Sequence, residues 1–193
     1  MSDHSPAGAA DTPDTPEAFV ADAEALLERH GAGEAGFAAI AERLRRLAAE
    51  PAVLERPELG GLHGSASATI LCEGAGGSAL MLASFPPEAP TPVHNHNSWG
   101  ILCVVRGTDR YLRWQREDDG ADPARARLRL AEERTLRAGD VVWFGEPPDD
   151  IHSQQGVDGP AWELVYFGRN PNRVPRAYFD PQTGAVTYDD AAR

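Results

Sequence analysis

Thr91-Pro92-Val93-His94-Asn95-His96-Asn97-Ser98-Trp99-Gly100-Ile101-Leu102-Cys103-Val104-Val105-Arg106-Gly107 is the stretch that decides how this chain is read. Two histidines, one residue apart, lead into an apolar run closed by a glycine. On a strand, side chains at i and i+2 share a face, so His94 and His96 aim both imidazoles at one point. With continuous strand geometry from His94, the residues His94, His96, Ser98, Gly100, Leu102 and Val104 lie on one face. Trp99, Ile101, Cys103 and Val105 take the other, unless a bulge breaks the parity. Two imidazoles so aimed can hold a transition metal, and Gly100 then stands next to it with no side chain to offer.

A third ligand is needed to complete such a site. Gly139-Asp140-Val141-Val142-Trp143-Phe144 reads as a turn into a buried strand, and Pro147-Pro148-Asp149-Asp150-Ile151-His152 brings a rigid loop to another histidine. His152 is the best third ligand by position. His30 falls at a helix end, His63 in a Gly-flanked linker and His4 in a polar tail. Three neutral imidazoles without a carboxylate suit Fe(II), and also Zn, Ni, Co or Cu. Three protein ligands leave coordination positions open, which is the pattern of catalytic rather than structural sites. Asp149 and Asp150 are expected to solvate the loop or to orient His152 rather than to act as a catalytic pair.

Bulk properties narrow the remaining options. The 193 residues suit one domain with appendages. With 30 acidic against 18 basic residues and a net charge of −12, a nucleic-acid or anionic-membrane partner is not expected. Two cysteines, Cys72 and Cys103, argue against a disulfide framework and fit the cytoplasm; both read as small buried hydrophobes. No apolar run approaches the ~20 residues of a membrane span. The start of the chain lacks the basic and apolar regions of a signal peptide.

Residues 1–16 read as a disordered tail and residues 17–60 as a helical segment. Thr15-Pro16-Glu17 is a helix start, and apolar residues recur with helical spacing at Phe19, Ala23, Leu26 and Leu27. A second helix is expected over 34–50, with Phe37, Ile40, Leu44 and Leu47 on one stripe, then a further turn over 52–56. Strands are expected over 67–72, 78–85, 99–105, 109–116, 126–130, 141–144, 163–167 and 185–188. Short strands separated by turn residues mean an all-β sandwich or barrel over 61–193, carrying the helices as an αα-hairpin.

The two histidine elements resemble the motifs of the cupin superfamily. His94, His96 and Gly107 match the first motif, with Gly100 where a glutamate ligand stands; Gly139, Pro147 or Pro148, and His152 match the second. Thr-Pro-x-His-x-His-x-x-Trp-Gly followed by Arg-Gly resembles the bacterial members of the cysteine dioxygenase and 3-mercaptopropionate dioxygenase group. So do the N-terminal helices and the closing Phe179-Asp180-Pro181-Gln182-Thr183-Gly184. The resemblance implies a mostly β protein, a cupin double-stranded β-helix (jelly-roll barrel) with an N-terminal α-helical hairpin. It implies Fe(II) held by His94, His96 and His152, a small-molecule thiol and O₂ as partners, and a sulfinate product. Tyr166 aligns with a tyrosine beside the iron, although Trp162 and Leu164 replace the serine and histidine that accompany it there. A substrate carboxylate is expected on Arg176, with Arg113, Arg110, Arg169 and Arg173 as competitors. Two other readings remain: a cupin metalloenzyme of another reaction type (isomerase, lyase or hydrolase), and a non-catalytic metal- or small-molecule-binding cupin. A monomer and a homodimer are both compatible with the sequence.

Overall fold

The computed structural model of the protein describes residues 14–53 and 67–189. Most of the expected tail, with His4, and the linker holding His63 and residues 54–56 lie outside the described residues. Thr15 caps helix α1 (Pro16–His30): its hydroxyl accepts from the Ala18 N–H at 3.1 Å, and Pro16 opens the first turn. Gly31, at φ 76°, ends it in a conformation that costs glycine little. Helix α2 (Glu34–Ala48) buries the expected stripe of Phe37, Ile40, Leu44 and Leu47, and a single 3₁₀ turn (Pro51–Val53) follows.

Eleven strands are described: β1 (Ser67–Glu73), β2 (Ala79–Phe85), β3 (Val93–His94), β4 (Gly100–Arg106), β5 (Thr108–Arg116), β6 (Leu128–Arg137), β7 (Val141–Phe144), β8 (His152–Gly156), β9 (Ala161–Phe167), β10 (Arg176–Phe179) and β11 (Val186–Asp189). They form a five-stranded sheet, β1-β2-β9-β4-β7, and a six-stranded sheet, β11-β10-β3-β8-β5-β6, with all neighbours antiparallel. The two sheets make the jelly-roll barrel, and the fold is mostly β with an N-terminal helical hairpin. No helix among the described residues is long and apolar enough to cross a membrane.

The central strands of the five-stranded sheet, β2, β9 and β4, are buried on both faces, which explains their near-continuous apolar sequences. The sheet's outer face (Leu80, Leu82, Ile101, Cys103, Leu164, Tyr166) packs under Phe19, Ile40, Leu44 and Leu47 of the helices. Its inner face (Met81, Ala83, Phe85, Leu102, Val104, Val165, Phe167) turns into the barrel. The alternation expected along β4 therefore holds. The continuous strand expected from His94 does not: β3 ends at His94 and belongs to the six-stranded sheet, whereas β4 belongs to the other. The chain changes sheets through Asn97, whose φ of 49° asparagine tolerates better than most residues.

Strand β6 also runs further than expected, to Arg137 rather than Leu130. It is an edge strand with few buried residues, so it has little apolar alternation to show in sequence. Cross-strand pairs with β5, Arg110–Glu133 at 2.7 Å and Arg113–Glu132 at 3.1 Å, mark its register instead.

Inside the barrel, away from the helices, Asp109 of β5 and Glu163 of β9 are both fully buried. Gln154 of β8 donates to Glu163 through Nε2, and Asp109 accepts the Gln155 N–H at 3.0 Å. Burial, reinforced by Asp109, pushes Glu163 well above the ordinary carboxylate range, and burial pushes Asp109 up to about 6. Both groups hold protons more tightly folded than unfolded. Their favourable contribution is therefore complete below the unfolded value of about 4 and is lost as pH rises through the folded values. The buried histidines, held neutral, act in the opposite sense below about pH 6.5, so the carboxylate contribution is read as a difference: the thermal midpoint of the wild type relative to Glu163→Gln, which mimics the protonated acid, is expected to fall as the pH is raised from about 5 to about 8. Each kcal/mol is read as roughly 2–4 °C in a calorimetric scan.

Candidate metal centre

Two local structures deliver the three histidines. His94 closes β3, with its Cα paired to His152 at the start of β8 on one side and to Tyr178 of β10 on the other. His96 follows in the turn that crosses to β4. The three rings are buried, and their ligand atoms lie within 4.8 Å of one another. The Nε2 atoms of His94 and His96 are 3.1 Å apart. This is the one group of three or more histidine, cysteine or acidic side chains among the described residues arranged to share an ion. His30 is exposed at the end of α1.

The tautomers are set from behind. Nδ1 of His94 faces the Pro92 carbonyl at 2.9 Å, and Nδ1 of His152 faces the Asp150 carbonyl at 3.0 Å. A carbonyl only accepts, so each Nδ1 carries the proton and each Nε2 presents its lone pair. Burial pushes His94 down to about 4 and holds His96 and His152 well below the ordinary imidazole value. All three rings are neutral at pH 7, the form that binds a divalent metal. The donor set thus fits a transition-metal ion with open coordination positions.

Asp150 links the two elements. Its carboxylate accepts the His96 N–H at 3.1 Å while its carbonyl holds His152. The side chain is fully buried, and burial raises it to about 6 against the pull of backbone N–H groups led by that of His96. Asp149 is exposed. The expectation that an aspartate of this loop orients His152 holds for Asp150, through its carbonyl; its link to His96 was not foreseen.

Gly100 occupies the position of the missing glutamate, and the space beside it is taken. A Cβ at Gly100 would lie 2.3 Å from Cζ of Phe144. The Phe144 ring is 4.8 Å from that of His152 and 6.1 Å, stacked, from that of His96. An aromatic ring therefore covers this side of the histidines.

A cavity of about 620 Å³ opens beside the three rings, and it separates the sequence-derived candidates. Arg176 lines it, with one terminal nitrogen 3.4 Å from His96 Nδ1. A ring bound to metal through Nε2 carries its proton on Nδ1, which gives Arg176 no acceptor there and frees it for a ligand. Among the described residues no carboxylate pairs with Arg176. Its competitors are all committed: Arg110 to Glu133, Arg113 to Glu132, Arg169 to Glu146 and Arg173 to Glu73. Arg113 does not line the cavity, so the structure does not bring this expected substrate residue to the site.

Tyr166 is also a correction. Its ring lies on the outer face of β9, 5.3 Å from Phe19 and 5.8 Å from Trp99, under the helices. Trp162 and Leu164 share that face. A strand alternates its faces, so the residues of β9 that reach the cavity are Val165 and Phe167, with Glu163 deeper in the barrel. The tyrosine that does line the cavity is Tyr178, two residues after Arg176 on β10, with its ring 6.2 Å from that of His94. The i, i+2 spacing of Arg176 and Tyr178 was available in sequence, but β10 is too short to announce itself.

No family model matches the chain. Solved structures with partial likeness include an oxalate oxidase in complex with the substrate analogue glycolate, 21% identical with a TM-score of 0.44, covering 57% of this chain and 55% of that one. An RmlC-like cupin from Ralstonia eutropha is 14% identical with a TM-score of 0.43, covering 65% and 67%. A cupin superfamily protein from Desulfitobacterium hafniense is 13% identical with a TM-score of 0.40, covering 55% and 80%. The chain spans about half the length of the oxalate oxidases it matches. None of these likenesses bears on the reaction run here.

Asp150→Ala should weaken metal binding about 10- to 100-fold, because it unties the turn that presents His96. A chelator competition titration measures this directly. Gly100→Ala should cost about 1–3 kcal/mol by overpacking against Phe144, and adding Phe144→Leu should recover part of it in denaturant unfolding.

Proposed function

We propose that the protein is a mononuclear non-haem iron dioxygenase that oxidises a small thiol carboxylate to a sulfinate. The observation that carries the reading is a pair: three neutral imidazoles converging without a carboxylate, and, on the wall of the same cavity, an arginine that no carboxylate among the described residues pairs. The overall change is R–SH + O₂ → R–SO₂H. Sulfur gives up four electrons, dioxygen takes four, and both oxygen atoms end on sulfur, so no further reductant is required. Iron, when bound, lowers the thiol pKa and brings sulfur and O₂ to one centre.

The chain's own residues do the rest. His94, His96 and His152 fix the number and geometry of the ligands. Arg176 pairs with the substrate carboxylate, two N–H donors against two oxygens, and so aims the thiol at the histidines. Phe144 and Phe167, whose rings lie 6.1 and 4.7 Å from His96, keep that side dry. Tyr178 offers the hydroxyl that Tyr166 cannot.

A second reading has one observation in its favour. The cavity face of β9 carries no serine or histidine beside the metal centre, which suits a metal-dependent isomerase, lyase or hydrolase that moves no oxygen. An electrode measurement separates the two. The Fe(II)-loaded protein should consume one O₂ per sulfinate with 3-mercaptopropionate or cysteine, and His94→Ala should abolish uptake. Turnover of a substrate under nitrogen by the Zn(II)-loaded protein, without O₂ uptake on any thiol, would overturn the dioxygenase reading.

A further inference from the structure

The two walls of the cavity differ in kind. The six-stranded sheet contributes His94, His152, Gln154, Arg176 and Tyr178, together with Thr91 beside it. The five-stranded sheet contributes Met81, Ala83 and Phe85 from β2, Leu102 from β4, and Val165 and Phe167 from β9, with Phe144 of β7 and the edge residues Ser67 and Ala68 of β1 at its margins. Ser67 is the one polar side chain among them, and the six from β2, β4 and β9 are all buried. The volume, about 620 Å³, is that of a pocket for a ligand much larger than a three-carbon amino acid. A cysteine-sized ligand held at Arg176 and the histidines would leave the opposite wall facing water. Such a wall gives water almost none of the two to four polar partners it needs.

We infer that the substrate is a thiol carboxylate bearing an apolar substituent: its head binds Arg176 and the histidines, and its hydrocarbon tail packs on Met81, Phe85, Leu102, Val165 and Phe167. The inference rests on the dioxygenase reading for the thiol, but the tail subsite stands on the lining alone. The parity of β9 is what creates that subsite. A polar network on the cavity face would solvate the wall, whereas Val165 and Phe167 make it hydrocarbon. Burying each methylene there contributes roughly 0.8 kcal/mol, about a fourfold gain in affinity. The tail thereby sets specificity: the wall favours long acids without any contact to the reacting atom.

The test is a calorimetric titration of the Zn(II)-loaded protein with two homologous series. One is 2-mercapto acids from 2-mercaptopropionate to 2-mercaptooctanoate; the other is the matching acids without sulfur. Affinity should rise about fourfold per methylene in both series until the wall is covered. Val165→Thr, close in volume but polar, should flatten the rise, and Phe85→Leu should shorten it. Arg176→Lys should weaken every acid while leaving the slope. Flat or falling affinity with chain length in the wild type overturns the inference, as does a failure of both series to bind. The two proposals fail separately. Chain-length-dependent binding of both series, with no O₂ uptake by the Fe(II)-loaded protein on any thiol, leaves the tail subsite standing and removes the dioxygenase. Oxidation of cysteine or 3-mercaptopropionate with no chain-length gain does the reverse.

Discussion

A single aspartate holds the two halves of this site in register. His94 and His96 come from the corner where the chain leaves the six-stranded sheet, and His152 comes from the far end of a loop after β7. Pairing of β3 with β8 and the Thr91 N–H on the Gln154 carbonyl align the strands, but neither reaches the turn that carries His96. Asp150 links that turn to His152 with two groups: its carboxylate takes the His96 N–H, and its carbonyl takes the His152 Nδ1–H. Because the side chain is buried, the bond is not diluted by water, and its loss would leave a buried donor without a partner. The direct Cα pairing of His94 with His152 adds a backbone constraint to the same point. The convergence of three rings on one centre is therefore a property of the loop, not only of the histidines.

The histidines and the sheet faces were legible because each obeys a short-range rule. The His-x-His spacing marks the pair even though His96 lies in the turn after β3, and the alternation Ile101-Leu102-Cys103-Val104 shows which side meets the helices. The crossing between His94 and Gly100 was harder to see, since it turns on one backbone angle at Asn97. The far half of strand β6 and the whole of β10 were missed for opposite reasons. The first is too exposed to alternate, and the second is too short for a pattern. Asp109 and Glu163 read as ordinary polar positions in sequence, because their burial depends on which sheet closes over them.

The case of Tyr166 shows how a correctly placed strand can yield a wrong residue. The late strand was found, and a tyrosine was found in it. Whether that tyrosine serves the site depends wholly on parity, and a shift of one residue exchanges the two faces of a strand. Leu80 and Ile101 lie opposite Tyr166 in register, and both face the helices. The tyrosine is therefore a core residue. Burial pushes its phenol up to about 12, out of reach of proton transfer near neutral pH. Tyr178, carried on a strand that sequence patterning overlooks, is the tyrosine that lines the cavity.

The parity of β9 also sets the electrostatics of the cavity. Val165 and Phe167, turned inward, line it with hydrocarbon. A bound carboxylate that excludes water then meets the guanidinium in a medium of low effective dielectric, where an ion pair is stronger than at the surface. The cost of stripping water from both charges offsets much of that gain unless hydrocarbon is buried at the same time. An acid with an apolar tail supplies that burial and a short one does not. On the proposed reading, in which Arg176 takes a carboxylate, the hydrocarbon wall joins head and tail recognition into one energetic event.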